Sequence, residues 1–282
     1  MDTVAVPVDP PLLAIKTYCD DETVQPQEET SGIYLDGETA HIALTNTSQA
    51  DSGINFDGGP LTIEAWIKPE LKVNFATILS NKEGGSGKTG FLFSVNTWEE
   101  QNGKLYFEGT YGQVASTKSV QWGKWQHVAV TYDGINPAFY LDGEQIPFYK
   151  QEYYGPFGIQ PGFLDAKIGE MGLYHSNSYY KGSIDELKVW DYARTGEEIR
   201  SSMHCAGNPN AAGLVSYYQF EEADNGMVVY DSGPKGNHGV IVVGEGNEES
   251  EDFGNGSESS LGYMYTEGIS LCTSCSSNDK EG

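Results

Sequence analysis

Short runs of alternating apolar and polar residues, separated by Gly, Asn and Asp, follow one another from about residue 31 onward. Runs of strand length with turn residues between them predict β-strands. The predicted strands are LTIEAWIKP, ATILSN, GFLFSV, GKLYFEG, WQHVAVTYDG, PAFYLDGEQI, AKIGEM, GSIDELKVWD, LVSYYQF and HGVIVV. One helix is predicted at TGEEIRSSMH, where Thr195 and Glu198 have the spacing of a capping box.

The alternation within each run indicates which side chains share a face of the strand. In the first run the aliphatic residues fall on one face: Leu61, Ile63, Ala65 and Ile67. Glu64 and Trp66 fall on the opposite face, and in GSIDELKVWD the same alternation places Asp185 beside Leu187 and Val189. One aliphatic face and one aromatic or polar face favour two sheets packed together. The predicted fold class is therefore all-β, a two-sheet antiparallel sandwich with one short helix.

Two short motifs are predicted to be turns. Asp142-Gly143 lies between two apolar stretches, which is the Asp-Gly signal for a tight hairpin. GGSGKTG at residues 84–90 contains the letters of a phosphate-binding loop. Because it lies between two predicted strands and precedes no helix, we interpret it as a hairpin loop.

Composition and charge exclude some classes of partner. The 282 residues carry 41 acidic and 16 basic side chains, which gives a formal net charge of −25. Such a charge repels phosphate groups, so nucleic acid and anionic membrane surfaces are not expected partners, whereas divalent cations are compatible. We expect no membrane insertion, because no apolar run reaches about 18 residues. The start of the chain, MDTVAVPVDPP, is not expected to be a signal peptide.

The chain divides into four segments by composition. They are an extended arm or linker at 1–30, a main domain at 31–204, further strands at 205–243 and an acidic Gly/Ser-rich tail at 244–282. In the arm, Val4, Val6 and Val8 alternate, which would allow pairing with a sheet edge. Within the tail, residues 244–262 are predicted to be a solvated linker.

The chain has four cysteines, Cys19, Cys205, Cys272 and Cys275. An even number fits an oxidising compartment and allows three disulfide pairings. Cys272 and Cys275 form a C-x-x-C motif, which is found in disulfides and in zinc sites. No second ligand pair has the spacing that a zinc site requires, so a disulfide is the favoured interpretation.

Four blocks together identify a resemblance to a family. LTIEAWIKP, WQHVAVTYDG, FYLDG and GSIDELKVWDYARTGEEI resemble, in this order and spacing, the laminin-G-like jelly rolls of the concanavalin-A-like superfamily, which includes the pentraxins. The resemblance covers about residues 31–203. The segment from Met203 to Gly239 resembles one that precedes the opening strand in many members, but here it follows the helix. It either completes its own sandwich or pairs with a neighbour.

The resemblance implies a structural calcium ion at the edge of the sandwich. Asp185 matches the position of the family's calcium-binding aspartate, and turn carbonyls around Gly32 and Asp36 would complete the oxygen ligands that calcium requires. In the alternative interpretation, Asp185 accepts hydrogen bonds from backbone amides and binds no metal.

A non-catalytic binding role is expected. The E-x-D-x-x-E strand motif of the superfamily's retaining glycosidases is absent, as are H-E-x-x-H and G-x-S-x-G. Exposed aromatic rings with polar neighbours suit sugar binding. The candidate ligand-binding residues are Trp98, Tyr153, Tyr154, Tyr174, His175, Asn177, Tyr179 and Tyr180. Alternatively, these tyrosines pack beneath long loops or make protein contacts.

These observations predict an extracellular, calcium-stabilised recognition or adhesion module that binds a glycan or another cell-surface ligand. One alternative is a structural subunit of an extracellular filament or surface layer, in which the arm or LVSYYQF would add a strand to a second copy. The other alternative is a polysaccharide-active enzyme.

Overall fold

The computed structural model describes residues 3–4, 28–70, 74–84, 87–97, 101–152, 156–172, 178–221, 227–243 and 263–271. These residues form two antiparallel sheets, which confirms the predicted β-sandwich. In chain order the strands are β1 (Thr3–Val4), β2 (Glu28–Asp36), β3 (His41–Leu44), β4 (Leu61–Pro69), β5 (Ala76–Ser80), β6 (Leu92–Val95), β7 (Lys104–Glu108), β8 (Gly112–Ser119), β9 (Gln126–Tyr132), β10 (Pro137–Leu141), β11 (Glu144–Ile146), β12 (Phe148–Glu152), β13 (Lys167–Ile168), β14 (Lys181–Trp190), β15 (Leu214–Tyr218), β16 (Val228–Val229), β17 (Gly239–Val242) and β18 (Tyr263–Leu271). A 3-10 turn (Ala50–Ser52) and helix α1 (Gly196–Ser202) complete the described elements.

Sheet A has ten strands in the order β1-β12-β8-β7-β6-β5-β13-β3-β17-β16. Sheet B follows the order β11-β10-β9-β4-β14-β2-β18, and β15 also pairs with β14. Within the described residues, no helix has the length and apolar character needed to cross a bilayer.

The main core lies between the sheets and follows the predicted alternation. The four aliphatic residues of β4 are buried in it, as are Val128, Val130 and Tyr132 of β9. Sheet A contributes Phe93 and Phe107. Glu64 and Trp66 face the outer side of sheet B, as their position in the alternation predicts, where Trp66 packs against Ile269 in a separate cluster. Burial of apolar surface between the two faces therefore sets the register of the strands.

Helix α1 covers part of the outer face of sheet B, and its predicted capping box is confirmed. The Thr195 side chain accepts a hydrogen bond from the Glu198 amide at 3.2 Å, and the Thr195 amide donates to Glu198 Oε2 at 2.7 Å. Ile199 is buried against Ala129 and Tyr140 of sheet B. The cap fixes where the helix begins, and Ile199 fixes the face that it turns to the sheet.

Both predicted turns are confirmed. Asp142 and Gly143 have positive φ angles of 50° and 75°, and the residues on either side of them pair β10 with β11. Two consecutive left-handed residues are the requirement of a type I′ hairpin. The GGSGKTG loop joins β5 to β6, which pair antiparallel.

The predicted alternation is wrong at Asp185. A β-bulge shifts the register of β14 on β4 between Asp185 and Lys188, and Glu186 has a positive φ of 52°. The extra residue turns Asp185 to the outer face of sheet B, opposite Trp66, while Leu187 stays in the main core. Asp185 is fully buried there, beneath β18.

The segment after the helix lies on its own sandwich. β15 pairs with β14, and β17 pairs with β3. Asp231 holds the loop after β16, because its carboxylate accepts hydrogen bonds from the amides of Tyr217, Gly233 and Asn237 at 2.7, 2.8 and 2.7 Å. These bonds tie β15 to the return loop within one chain.

Both ends of the chain contribute edge strands. β1 pairs with β12 through Thr3 and Val4, whereas Val6 and Val8 lie outside the described residues. In the tail, β18 pairs with β2 at the edge of sheet B. The sequence did not predict β18.

Candidate ligand-binding face

Neighbouring strands of sheet A turn aromatic and polar side chains to the outer face. The register aligns one row of residues across four strands, namely Tyr149, Ala115, Tyr106 and Ser94. The adjacent row is Gln113, Glu108 and Leu92. Alternation sends the residues between them, including Phe107 and Val114, into the main core. We call these two rows, together with Phe75, the Tyr106 face.

The aromatic part of the Tyr106 face is a compact cluster outside the main core. Phe75, Leu92, Tyr106, Ala115 and Met171 pack together, and the partly buried Tyr149 lies against them. The Phe75 and Tyr106 ring centroids are 5.3 Å apart. The Lys104 ammonium lies 4.9 Å from the centroid of the Tyr149 ring. The cluster therefore holds the Tyr149 ring at the surface with a cation beside it.

The polar part is held by a hydrogen-bond chain that reaches into the sheet. The Tyr106 hydroxyl donates to Glu108 Oε2 at 2.9 Å and also contacts Gln113 Oε1. Glu108 Oε1 lies 3.5 Å from the ammonium of Lys82. Lys82 Nζ donates to the carbonyls of Lys88 and Gly109 at 2.9 and 2.8 Å. The fully buried Lys82 thus anchors the carboxylate that positions Tyr106 and Gln113.

Burial shifts the pKa of both charged members of this chain. Burial lowers the pKa of Lys82 against the attraction of Glu108. It raises the pKa of Glu108, although the Lys82 charge and the Tyr106 hydroxyl act the other way. Both side chains have most of their polar atoms committed to partners within the protein. Tyr149 and Gln113 are partly buried, whereas Tyr106, Glu108 and Lys82 are buried.

A family match decides the identity of the fold. The model of the concanavalin A-like lectin/glucanases superfamily matches residues 30–200, which contain both sheets' central strands and the Tyr106 face. This chain belongs to that superfamily. Its closing segment, β15 to β17, lies beyond the matched residues and still pairs with both sheets.

Two curated relatives of this superfamily member are much longer than the chain. Sushi, von Willebrand factor type A, EGF and pentraxin domain-containing protein 1 of Rattus norvegicus is 26% identical over 226 residues, which are 73% of this chain and 6% of that protein. Pappalysin-1 of Homo sapiens is 24% identical over 198 residues, which are 66% of this chain and 12% of that protein. The chain thus spans only a small part of each relative.

A solved structure shares the fold. A putative carbohydrate binding protein from Bacteroides ovatus superposes with a TM-score of 0.60 at 19% sequence identity. The match covers 89% of this chain and 63% of that one. At this identity the likeness shows the fold alone.

The structure locates two of the eight predicted ligand-binding residues. Tyr179 is half-buried, with its ring centroid 6.1 Å from that of His41. Tyr180 is fully buried in the main core, and its hydroxyl donates to the carbonyl of Ser183 at 3.2 Å, so it packs the sandwich. The other predicted residues lie outside the described residues, namely Trp98, Tyr153, Tyr154, Tyr174, His175 and Asn177.

Three members of the Tyr106 face were not identified from the sequence, for two different reasons. Alternation in GKLYFEG does place Tyr106 and Glu108 together, opposite Phe107, so this signal was present in the sequence. Tyr149 lies on β12, whose sequence FYKQE has no apolar alternation and was not predicted to be a strand. Its contribution depends on the pairing of β12 with β8.

The three residues predicted to bind calcium do not form one site. Gly32 and Asp185 are neighbours, since a Cβ at Gly32 would lie 3.6 Å from Asp185 Cβ. Asp36 lies further along β2, opposite Lys181. Its Oδ1 accepts the amides of Glu38, Thr39 and Ala40 at 2.8–3.0 Å. Burial raises the pKa of Asp36, but these hydrogen bonds outweigh it and hold the pKa below its ordinary value.

Asp185 accepts hydrogen bonds from two backbone amides. Its Oδ1 accepts the Glu186 amide at 2.7 Å, and its Oδ2 accepts the Ile269 amide at 3.1 Å. As a set, the three residues therefore do not fit a calcium ion. Within the described part of the chain, no group of three or more His, Cys, Asp or Glu side chains is arranged to hold a metal.

Calcium stabilisation stays a prediction, and thermal unfolding tests it. If the chain binds calcium in the folded state only, the melting temperature should rise by about 5 °C or more when free calcium exceeds Kd a hundredfold. Magnesium at the same concentration is the control for ionic strength. An equal melting temperature in calcium and in excess chelator would contradict the prediction.

Cys205 follows α1, is buried, and is disulfide-bonded. Cys19, Cys272 and Cys275 lie outside the described residues, so the pairing stays open.

A second group of charged residues lies on the opposite surface, beneath α1. Arg194 Nη1 and the Trp190 indole N–H both donate to Glu64 Oε1, the latter at 2.8 Å. Arg194 Nη2 donates to the Glu198 carbonyl and to Ser202 Oγ, both at 2.9 Å, which ties the helix to the sheet. Glu64 and Arg194 are only 2% and 6% exposed. We call Glu64, His127, Trp190 and Arg194 the Glu64 cluster.

His127 completes the Glu64 cluster, with Nε2 3.6 Å from Glu64 Oε2. Burial lowers the pKa of His127 to about 4, against the attraction of Glu64. Burial raises the pKa of Glu64, but the charges of Arg194, His127 and Lys188 outweigh it and bring the pKa below its ordinary value. Because α1 covers these side chains, the Glu64 cluster joins the helix to the sheet and offers no surface to a ligand.

Proposed function

We propose that this chain is a recognition module that binds a glycan through the Tyr106 face and has no catalytic activity of its own. The observation that carries the proposal is that two partly buried side chains lie in adjacent rows of one sheet face: the aromatic ring of Tyr149, and the amide of Gln113, which contacts the buried Tyr106–Glu108–Lys82 chain. An aromatic ring stacks on the apolar face of a sugar, and an oriented amide bonds its hydroxyls.

The comparisons support this proposal at the level of the fold. The superfamily description includes lectins, and the Bacteroides ovatus protein of similar fold is called a putative carbohydrate binding protein. An extracellular location is part of the proposal. It is supported by the disulfide at Cys205, since disulfides persist in oxidising compartments.

The glycan proposal is tested by screening the protein on a glycan array and then measuring affinity for the strongest hit. Tyr149→Ala should weaken binding by about tenfold, because it removes the stacking ring while Ala115 and Tyr106 stay packed. Gln113→Ala should weaken it by several-fold. Tyr230→Ala is the matched control, since Tyr230 is 54% exposed beside β16, the last strand at the other edge of sheet A.

Two results would count against the proposed site. Equal loss of affinity in Tyr149→Ala and Tyr230→Ala would show that the ring at Tyr149 has no special role. An array without hits, repeated with and without calcium, would leave no glycan ligand.

The enzymatic alternative has its own test. Incubation of the protein with the polysaccharides that it binds should release no new reducing ends. Glu108, the carboxylate on the Tyr106 face, is bonded to Tyr106 and paired with Lys82. Release of reducing ends that Glu108→Gln abolishes would make the chain an enzyme.

A further inference from the structure

The last described strand, β18, lies at the edge of sheet B. It pairs antiparallel with β2, from Tyr263 opposite Leu35 to Leu271 opposite Glu28. The register shifts between Glu267 and Ser270, which places one extra residue in β18. A bulge of this type turns the local backbone away from the regular ladder.

At this bulge the backbone of β18 reaches a buried charge. The amide of Ile269 donates to Asp185 Oδ2 at 3.1 Å, and Asp185 is fully buried. The Ile269 side chain is 7% exposed and packs against Trp66 and Trp125. A side chain at Gly32 would come within 3.4 Å of the Trp125 ring. We call Gly32, Trp66, Trp125 and Asp185 the Asp185 socket.

The socket selects a strand that presents a backbone amide outside the regular ladder and an apolar side chain at one position. The bulges in β14 and β18 lie opposite each other across β2, so that a carboxylate and an amide meet outside the regular ladder. A buried carboxylate that loses a hydrogen-bond donor is destabilised by about 1–3 kcal/mol or more. The socket therefore depends on an occupant of this kind.

Ile269, the β18 residue that meets the socket, belongs to the small cluster on the outer face of sheet B and not to the main core. The 19 residues from 244 to 262 connect the described residues of β17 and β18 and can span at most about 63–68 Å when fully extended. A strand on such a connection can reach the socket of its own chain or that of an adjacent copy.

We propose that two copies of this chain associate by strand exchange. The β18 strand of each copy is the donor, and the Asp185 socket of the other copy is the acceptor. A second copy supplies the same Gly-Ile bulge at the same register, and the exchange preserves every contact of the socket. The assembly surface is thus at the β2 edge.

The test uses the full chain and a labelled synthetic peptide of residues 263–271. Ile269→Asp in the full chain weakens its own β18, so the peptide should bind this variant at a 1:1 ratio and at least tenfold more tightly than it binds the wild type. A peptide N-methylated at Ile269 keeps the side chain and lacks the amide hydrogen that Asp185 accepts. It should bind at least tenfold more weakly than the native peptide.

The wild-type chain, concentrated and measured by analytical ultracentrifugation, should contain dimers that an excess of native peptide converts to monomers. The Ile269→Asp chain should remain monomeric. The proposal is overturned if the variant takes up no peptide, if N-methylation leaves the affinity unchanged, or if the wild type stays monomeric.

Hydrogen exchange of the wild type provides a second measurement in case the variant does not fold. The amides of residues 263–271 should exchange together, through an opening that leaves β4 and β9 protected. Exchange of β18 only in step with β4 would show that the strand does not separate, and would also overturn the proposal.

Discussion

Arg194→Met is expected to lower the free energy of unfolding by about 3–5 kcal/mol, because it leaves the buried Glu64 carboxylate without its strongest charge partner. Arg194 contacts Glu64 in the sheet and Glu198 and Ser202 in α1, so its loss also frees the helix. Its guanidinium lies 4.3 Å from the centroid of the Trp190 ring. Denaturant unfolding followed by tryptophan fluorescence measures the change.

Arg200→Met is the matched control for this prediction. Arg200 lies on α1, the helix that Arg194 contacts. It is half-buried and donates to the Gly143 carbonyl at 3.3 Å. Its replacement should cost no more than about 1 kcal/mol. The double variant Glu64→Gln/Arg194→Met removes both charges and should recover part of the loss. If the single variant Arg194→Met is as stable as Arg200→Met, the Glu64 cluster does not have the role described.

The local features of the fold could be predicted because they depend on neighbouring residues. Alternation in β4 set its two faces, the capping box at Thr195 set the start of α1, and Asp142-Gly143 set a hairpin. Each of these signals comes from residues within one turn or one strand of each other. The two-sheet architecture followed from them.

The contacts that define the sites could not be predicted, because they join distant residues. Arg194 meets Glu64 across 130 positions of the sequence. At Asp185 the alternation failed, since an extra residue with positive φ at Glu186 has no sequence signal when that residue is not Gly or Asn. The strand β18 has weak local signals and is fixed by pairing with β2.

Acidification from pH 6.5 to pH 4 is expected to destabilise the protein, with His127 contributing about 3 kcal/mol of the loss. The pKa of His127 is about 4 in the folded protein, compared with 6.5 for the imidazole in the unfolded chain. In this pH range the unfolded chain therefore binds a proton that the folded chain does not, and stability falls as the pH falls. Below pH 4 both states bind the proton and this contribution stays constant.

Charged groups around His127 also affect the pH dependence of the free energy of unfolding. Glu64 attracts the protonated form, whereas Lys188, Arg194 and His204 repel it. Burial also lowers the pKa of His204, so this residue adds to the loss in the same direction. Because the pKa of Glu64 lies below its ordinary value, protonation of Glu64 extends the destabilisation to lower pH.

His127→Gln isolates the contribution of His127. Gln does not titrate, and its amide nitrogen is a neutral donor in place of the imidazole, which lies beside Trp66 with Nε2 3.6 Å from Glu64 Oε2. The free energy of unfolding of this variant, measured between pH 7 and pH 4, should fall by about 3 kcal/mol less than that of the wild type. Parallel profiles for His127→Gln and the wild type would show that the proton taken up on unfolding belongs to another group.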